Sequence, residues 1–184
     1  MLNTLPSTFS NVFVDAEGTA YSTCMGKGTD LLKKHSTNGT NLFKNVIASS
    51  GAFTDVIADS NGIIYASDSK GYIYVYTRDG ELIFCLGEKA GNNDVSGLFS
   101  SLTTIAVDNN GNIWTADGKK GFIQSFTPTE YATTIYKALQ EYENGDYTDA
   151  LKDWNYVLRL NQMSVLAHNG VAKAYYNDEE YMNN

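Results

Sequence analysis

The chain has 184 residues, a formal net charge of −8, 42% hydrophobic residues, two cysteines and two histidines. That length suits one ordinary domain or two small ones. It excludes a disulfide framework, since Cys24 and Cys85 are too few and too far apart. A transmembrane helix is excluded because no stretch approaches about 18 consecutive apolar residues. The acidic balance disfavours nucleic acid and anionic membrane surfaces as partners.

The opening Met-Leu-Asn-Thr-Leu-Pro-Ser-Thr has no basic start and no apolar core, so it does not read as a signal peptide. The next segments repeat. Val14-Asp15-Ala16-Glu17-Gly18-Thr19-Ala20-Tyr21 aligns with Ala58-Asp59-Ser60-Asn61-Gly62-Ile63-Ile64-Tyr65 and with Val107-Asp108-Asn109-Asn110-Gly111-Asn112-Ile113-Trp114, at intervals of 44 and 49 residues. A β-type repeat of that period predicts propeller blades. In each Asp-x-x-Gly the Asp side chain closes a turn and the Gly takes positive φ, so Asp15, Gly18, Asp59, Gly62, Asp108 and Gly111 are expected to be structural turn residues.

Strands follow from alternation. In the second unit, 55–58 and 63–67 flank the turn. Tyr72-Ile73-Tyr74-Val75-Tyr76 then puts three tyrosines on one face, Asp79-Gly80 turns, and 81–86 returns. The result is one four-stranded blade. The first unit is expected to follow the same order, with Asn38-Gly39 as its second turn. The third (105–107, 113–116, 122–126) stops one strand short. The predicted fold class is therefore β then α in two segments: a partial β-propeller of four-stranded antiparallel sheets, then helical hairpins.

Composition shifts near Pro128, which sets a boundary between 1–128 and 129–184. The first part carries nine Lys/Arg and twelve Asp/Glu, the second four and nine. Thr127 or Thr129 suits a helix cap, Pro128 a first-turn position and Glu130 the positive helix end. Ala138 and Ala172, Tyr142 and Tyr176, and Tyr147 and Tyr181 are each 34 residues apart. That period predicts helical hairpins: helices 131–143 and 147–160 joined by a turn through Gly145, a third helix at 164–176, and a fourth starting near Tyr181. Ala150 and Trp154 share a face of the second helix, and small Ala138 and Ala150 allow close approach.

Two families match these patterns. Leu86-Gly87…Gly91…Gly97-Leu98-Phe99, running into Ile105-Ala106-Val107-Asp108-Asn109-Asn110-Gly111-Asn112-Ile113-Trp114, resembles an NHL repeat, with Leu102 in place of the usual Pro and Thr104 where Gly is common. Gly145-Asp146-Tyr147…Ala150…Trp154…Val157-Leu158…Leu160-Asn161 resembles a tetratricopeptide (TPR) unit, with Gln162 in place of its closing Pro. The pair is similar to secreted or surface NHL–TPR proteins of Gram-positive bacteria. That resemblance implies an extracytoplasmic or envelope location. A propeller closes with about four to eight blades and a TPR array needs about three repeats, so the chain is expected to be a partial copy.

No chemistry-bearing set stands out. Asp68 and Asp117 follow the second strands of their blades, where propeller loops line one face; with His35 they are the nearest candidates for a lactonase- or lyase-type site holding a divalent metal. Loop and turn roles are the commoner use of such aspartates. Tyr72, Tyr74 and Tyr76, like Asp68 and Asp117, are candidate ligand-facing residues, because aromatics stack on sugars and anchor protein partners; inter-blade packing competes for them. Cys24 and Cys85 read as buried free thiols, and His168 stands without a nucleophile. Lys33-Lys34 and Lys119-Lys120 are too short for a nucleic-acid stripe. Three functions are expected in order: a non-catalytic binding or scaffold module for a protein or glycan partner, with no cofactor; a metal-dependent propeller hydrolase or lyase; and a structural piece that self-associates through open blade edges.

Overall fold

The computed structural model describes residues 8–25, 31–47, 49, 51–91 and 95–182. The chain divides into two compact units, Met1–Phe126 and Thr127–Asn184.

The first unit is built from antiparallel hairpins. Strands β1 (Thr8–Val14), β2 (Ala20–Met25) and β3 (Leu32–His35) form one sheet. Strands β4 (Phe53–Ala58), β5 (Ile64–Asp68), β6 (Ile73–Tyr76) and β7 (Leu82–Leu86) form a four-stranded blade. After the short parallel pair β8 (Glu88–Lys89) and β9 (Leu98–Phe99), strands β10 (Leu102–Val107), β11 (Ile113–Asp117) and β12 (Phe122–Phe126) form a third sheet. These sheets are a partial β-propeller. Equivalent strands pair in the same register: Val12↔Ser22, Val56↔Ala66 and Ile105↔Thr115 are related by the sequence intervals 44 and 49. Each inner strand also carries its register shift at the same place, between Phe9 and Asn11, Phe53 and Asp55, and Leu102 and Thr104.

One type of turn recurs. In the hairpins at Asp15, Ser36, Asp59, Thr77 and Asp108, the Gly at i+3 donates to the carbonyl of i, and the N–H of i donates to the carbonyl of i+4. The glycines have φ between 77° and 84°, and among the described residues no other type has positive φ. That is a type I turn closed by a glycine bulge. Asp79-Gly80 and Asn38-Gly39 are therefore the last two residues of longer loops, not two-residue turns.

The first blade departs from expectation. Beyond Gly39, the described residues meet the sheet at the bridge His35↔Asn41 and where the Ile47 carbonyl accepts from the Leu31 N–H. The segment instead turns inward. Phe43 and Ile47 join the core between the first two blades, beside Tyr21, Leu32, Phe53, Val56, Ile64 and Tyr76. Apolar burial there outweighs the hydrogen bonds of a fourth strand, because those can be made to water instead. A Cβ on Gly80 would lie 2.8 Å from both Phe43 and Ile47, so the next blade's hairpin closes over them.

The second unit has three helices, α1 (Glu130–Asn144), α2 (Tyr147–Leu160) and α3 (Val165–Met182). Thr129 caps α1 by accepting from the Ala132 N–H, so Pro128 stands before the helix rather than in its first turn. Gly145 ends α1 at φ 85°, donating to the Glu141 and Tyr142 carbonyls. Ile135, Ala138, Ala150, Trp154, Val157, Ala167 and Ala174 are buried between the helices. The expected break before Tyr181 does not occur: α3 runs on to Met182. The position 34 residues after Gly145 is Glu179, which lacks the freedom of Gly to adopt the left-handed cap.

Candidate functional site

The turn aspartates do more than close hairpins. The Asp59 carboxylate accepts from the N–H groups of Asn61 and Ile63, both at 2.9 Å, and from the Tyr65 hydroxyl at 3.3 Å. Asp15 accepts from the Thr19 N–H at 2.7 Å and the Tyr21 hydroxyl at 3.3 Å. Asp108 accepts from Asn110 and Asn112 N–H, the Asn112 amide, and the Trp114 indole N–H at 3.0 Å. Each module thus reads Asp-x-x-Gly-x-x-aromatic, with the ring's polar tip returned to the carboxylate. The aromatic at i+6 was legible in the alignment as Tyr21, Tyr65 and Trp114, but its bond to the aspartate was not anticipated. Asp68 has the same arrangement: Lys70 and Tyr72 N–H on one oxygen, and the Tyr74 hydroxyl at 3.2 Å on the other.

Electrostatics differ among these carboxylates. Burial is the largest influence on Asp59 and pushes its carboxyl up against the lowering effect of its N–H donors. The Trp114 and Asn112 side chains hold the Asp108 carboxyl down at about 2. Burial and then the Asp15 charge push the Tyr21 hydroxyl up to about 12, and burial likewise raises Tyr76.

Asp68 and Asp117 are both buried. Asp68 also accepts from the Gly51 N–H at 3.1 Å, and Asp117 accepts from the N–H groups of Ser100, Ser101, Lys119 and Lys120. Burial alone would raise the Asp117 carboxyl, but these N–H groups outweigh it and hold it below the usual range. Both residues staple the end of a second strand to the loop leading into the same blade. His35 lies elsewhere in its contacts: its Nε2 is 2.7 Å from the Ser22 hydroxyl. Among the described residues, no three His, Cys, Asp or Glu side chains group as metal ligands would.

The tyrosines form a ladder. Tyr72 and Tyr74 have ring centroids 6.1 Å apart, and Tyr74 stacks on Tyr76 at 6.2 Å and 17°. Phe53 meets Tyr74 edge-on at 5.7 Å. Tyr76 is buried in the core between the first two blades and Tyr74 packs against it, while Tyr72 and Tyr74 are only half-buried. Cys24 is buried as expected. Cys85 is exposed, because it lies on the outer strand β7, and partial burial with the nearby Asp68 charge pushes its thiol up to about 11. That makes it a poor nucleophile.

Sequence reasoning missed Asp55. Its buried carboxylate accepts from the Val56 and Ile105 N–H groups, both at 2.9 Å, from the Thr104 hydroxyl at 2.6 Å, and from the Asn11 amide. Asn11, Asp55 and Thr104 are separated by the repeat intervals 44 and 49, so one position of the inner strand links all three blades. That spacing was the available signal. It was obscured because the three residues share no chemistry beyond polarity.

No protein-family model matches the chain, and no curated protein matches it. Solved structures similar to it include the computationally designed Ika8 protein (14% identity, TM-score 0.48, 65% of this chain and 33% of that one). They also include a streptogramin B lyase (14%, 0.48, 71% and 44%) and BamB from Moraxella catarrhalis (14%, 0.39, 64% and 28%). The chain spans less than half the length of each of these three structures.

Proposed function

We propose that this chain is a non-catalytic binding module that recognises a protein partner. The observation that carries the reading is on the helical unit. Met163 just before α3, Val165 at its start, and Tyr175 and Tyr176 further along it are large apolar or aromatic side chains left exposed. Exposed large side chains of this kind favour burial against a partner, with tyrosines as anchors. Asp68 and Asp117, the candidate carboxylates for a propeller-type site, accept from turn and loop N–H groups. The resemblance to NHL and TPR proteins of bacterial envelopes makes an envelope protein the first partner class to test.

A glycan is the second reading. It is favoured by Tyr72 and Tyr74, whose half-buried rings lie 6.1 Å apart at the start of β6.

The test is capture of envelope proteins on the immobilised full chain, beside the double variant M163E/Y176S. The expected result is a retained protein whose yield falls at least about tenfold with the variant, as loss of two anchors implies. Equal capture by both proteins, or no capture by either, overturns the reading. A glycan array in which only Tyr72→Ala loses signal moves the function to the tyrosine ladder. A rise in melting temperature with calcium, magnesium or zinc would support the metal-dependent alternative.

A further inference from the structure

The three blades repeat one sheet with the same two faces, so equivalent positions can be compared directly. On the face that carries Val56, the equivalents Val12, Val56 and Ile105 are 66%, 1% and 4% exposed. Phe9, Phe53 and Leu102 follow the same order, exposed then buried twice. On the opposite face, Leu32, Ile73 and Ile123 occupy equivalent register positions opposite Thr23, Ser67 and Ala116. They are 0%, 0% and 74% exposed. Tyr21 and Tyr65 are buried there while their equivalent Trp114 is exposed. Apolar character is kept at every one of these positions. What changes is whether a neighbouring blade covers it.

The covering contact is visible inside the molecule. Tyr21 and Leu32 of the first blade pack on Phe53, Val56, Ile64 and Ala66 of the second. Strands β4 and β5 of the second blade in turn contact β10 of the third, with Asp55 bonded across to Thr104 and Ile105. Among the described residues, the first blade therefore presents an unused copy of one half of this interface, and the third an unused copy of the other half.

We propose that a second copy of this chain fills both. The Val12 face of one copy packs on the Ile123 face of the other, and the reverse contact forms at the same time. The contact continues an interface that the chain already makes twice. It is head-to-tail, and such contacts either close or polymerise. Three blades from each copy make six, within the range of about four to eight at which propellers close, so the pair forms a ring about a two-fold axis.

Sedimentation equilibrium on the full chain tests this. The expected mass is twice 20.2 kDa. Val12→Asp and Ile123→Asp should each give a monomer, because every copy then has one ruined face. Both side chains are exposed in the single chain, so circular dichroism should be unchanged. An equimolar mixture of the two variants should recover a dimer, because one intact contact remains between unlike copies. A wild-type monomer, an open series of larger species, a dimer that survives either substitution, or a mixture that stays monomeric would each overturn the proposal. The wild-type mass decides the matter even where a variant fails to fold.

Discussion

Asp108 shows what a single side chain contributes. Its carboxylate is held at about 2 by the Trp114 indole, then by Asn112. A depressed folded value means the group favours the folded state above its ordinary range, about 4, and that contribution fades as pH falls towards 2. Replacing Trp114 by Phe keeps the ring and removes the donor. The expected outcome is a rise of the Asp108 midpoint towards the ordinary aspartate value, read from its side-chain carbonyl shift in an NMR titration. An unchanged midpoint would mean that the indole bond does not hold the carboxylate. Asp59 repeats the motif with the opposite sign, because burial of that turn dominates its donors. The two cannot be told apart in sequence, since Asp-x-x-Gly specifies the donors but not the cover over them.

At the scale of elements, the helical hairpin is governed by close approach. A Cβ added to Gly170 of α3 would sit 2.4 Å from Cε2 of the buried Trp154 ring on α2. Alanine gains about 1 kcal/mol of helix propensity there. Overpacking against a rigid indole costs about 3 kcal/mol in a filled core. The larger effect wins, so Gly170→Ala should destabilise the helical unit by about 2 kcal/mol in urea unfolding followed by helical circular dichroism. A stabilised variant would show that α2 and α3 can shift apart. The same scale explains which elements were readable. Helices α1 and α2 were expected within a residue or so, because Thr129 and Gly145 are local punctuation. The ladder β4 to β7 was readable because its turns and alternation are local. The inward turn of the described residues after Gly39 was not, because Phe43 and Ile47 take their direction from a core shared with another blade. The pair β8 and β9 was also hidden, since two-residue strands carry no periodicity.

At the scale of the whole molecule, the repeat is open at both ends of the described sheets, and stability should depend on assembly. If two copies close one ring, mass action links melting to concentration. Raising the concentration about a hundredfold should raise the first transition in a calorimetric scan by roughly 4 °C, while a monomer would show no shift. The candidate site was partly legible at this scale too. The spacing marks Asp15, Asp59 and Asp108 as turn residues, and each carboxylate accepts from the backbone N–H four residues on. Asp68, Asp117 and Tyr76 were considered as ligand-facing residues, and the structure buries all three. Their surroundings come from neighbouring strands and loops, which a linear pattern does not show.

Sequence alone determined the strand and helix types, the glycine-closed hairpins and the order of β before α. Each of these is a local property: a glycine that must adopt positive φ, an alternation of two, a periodicity near 3.6. Only the tertiary structure decided which equivalent residues are buried. Val12 and Val56, or Ile73 and Ile123, are interchangeable as sequence and opposite in exposure. Burial belongs to the space between two blades, and no single blade contains that space.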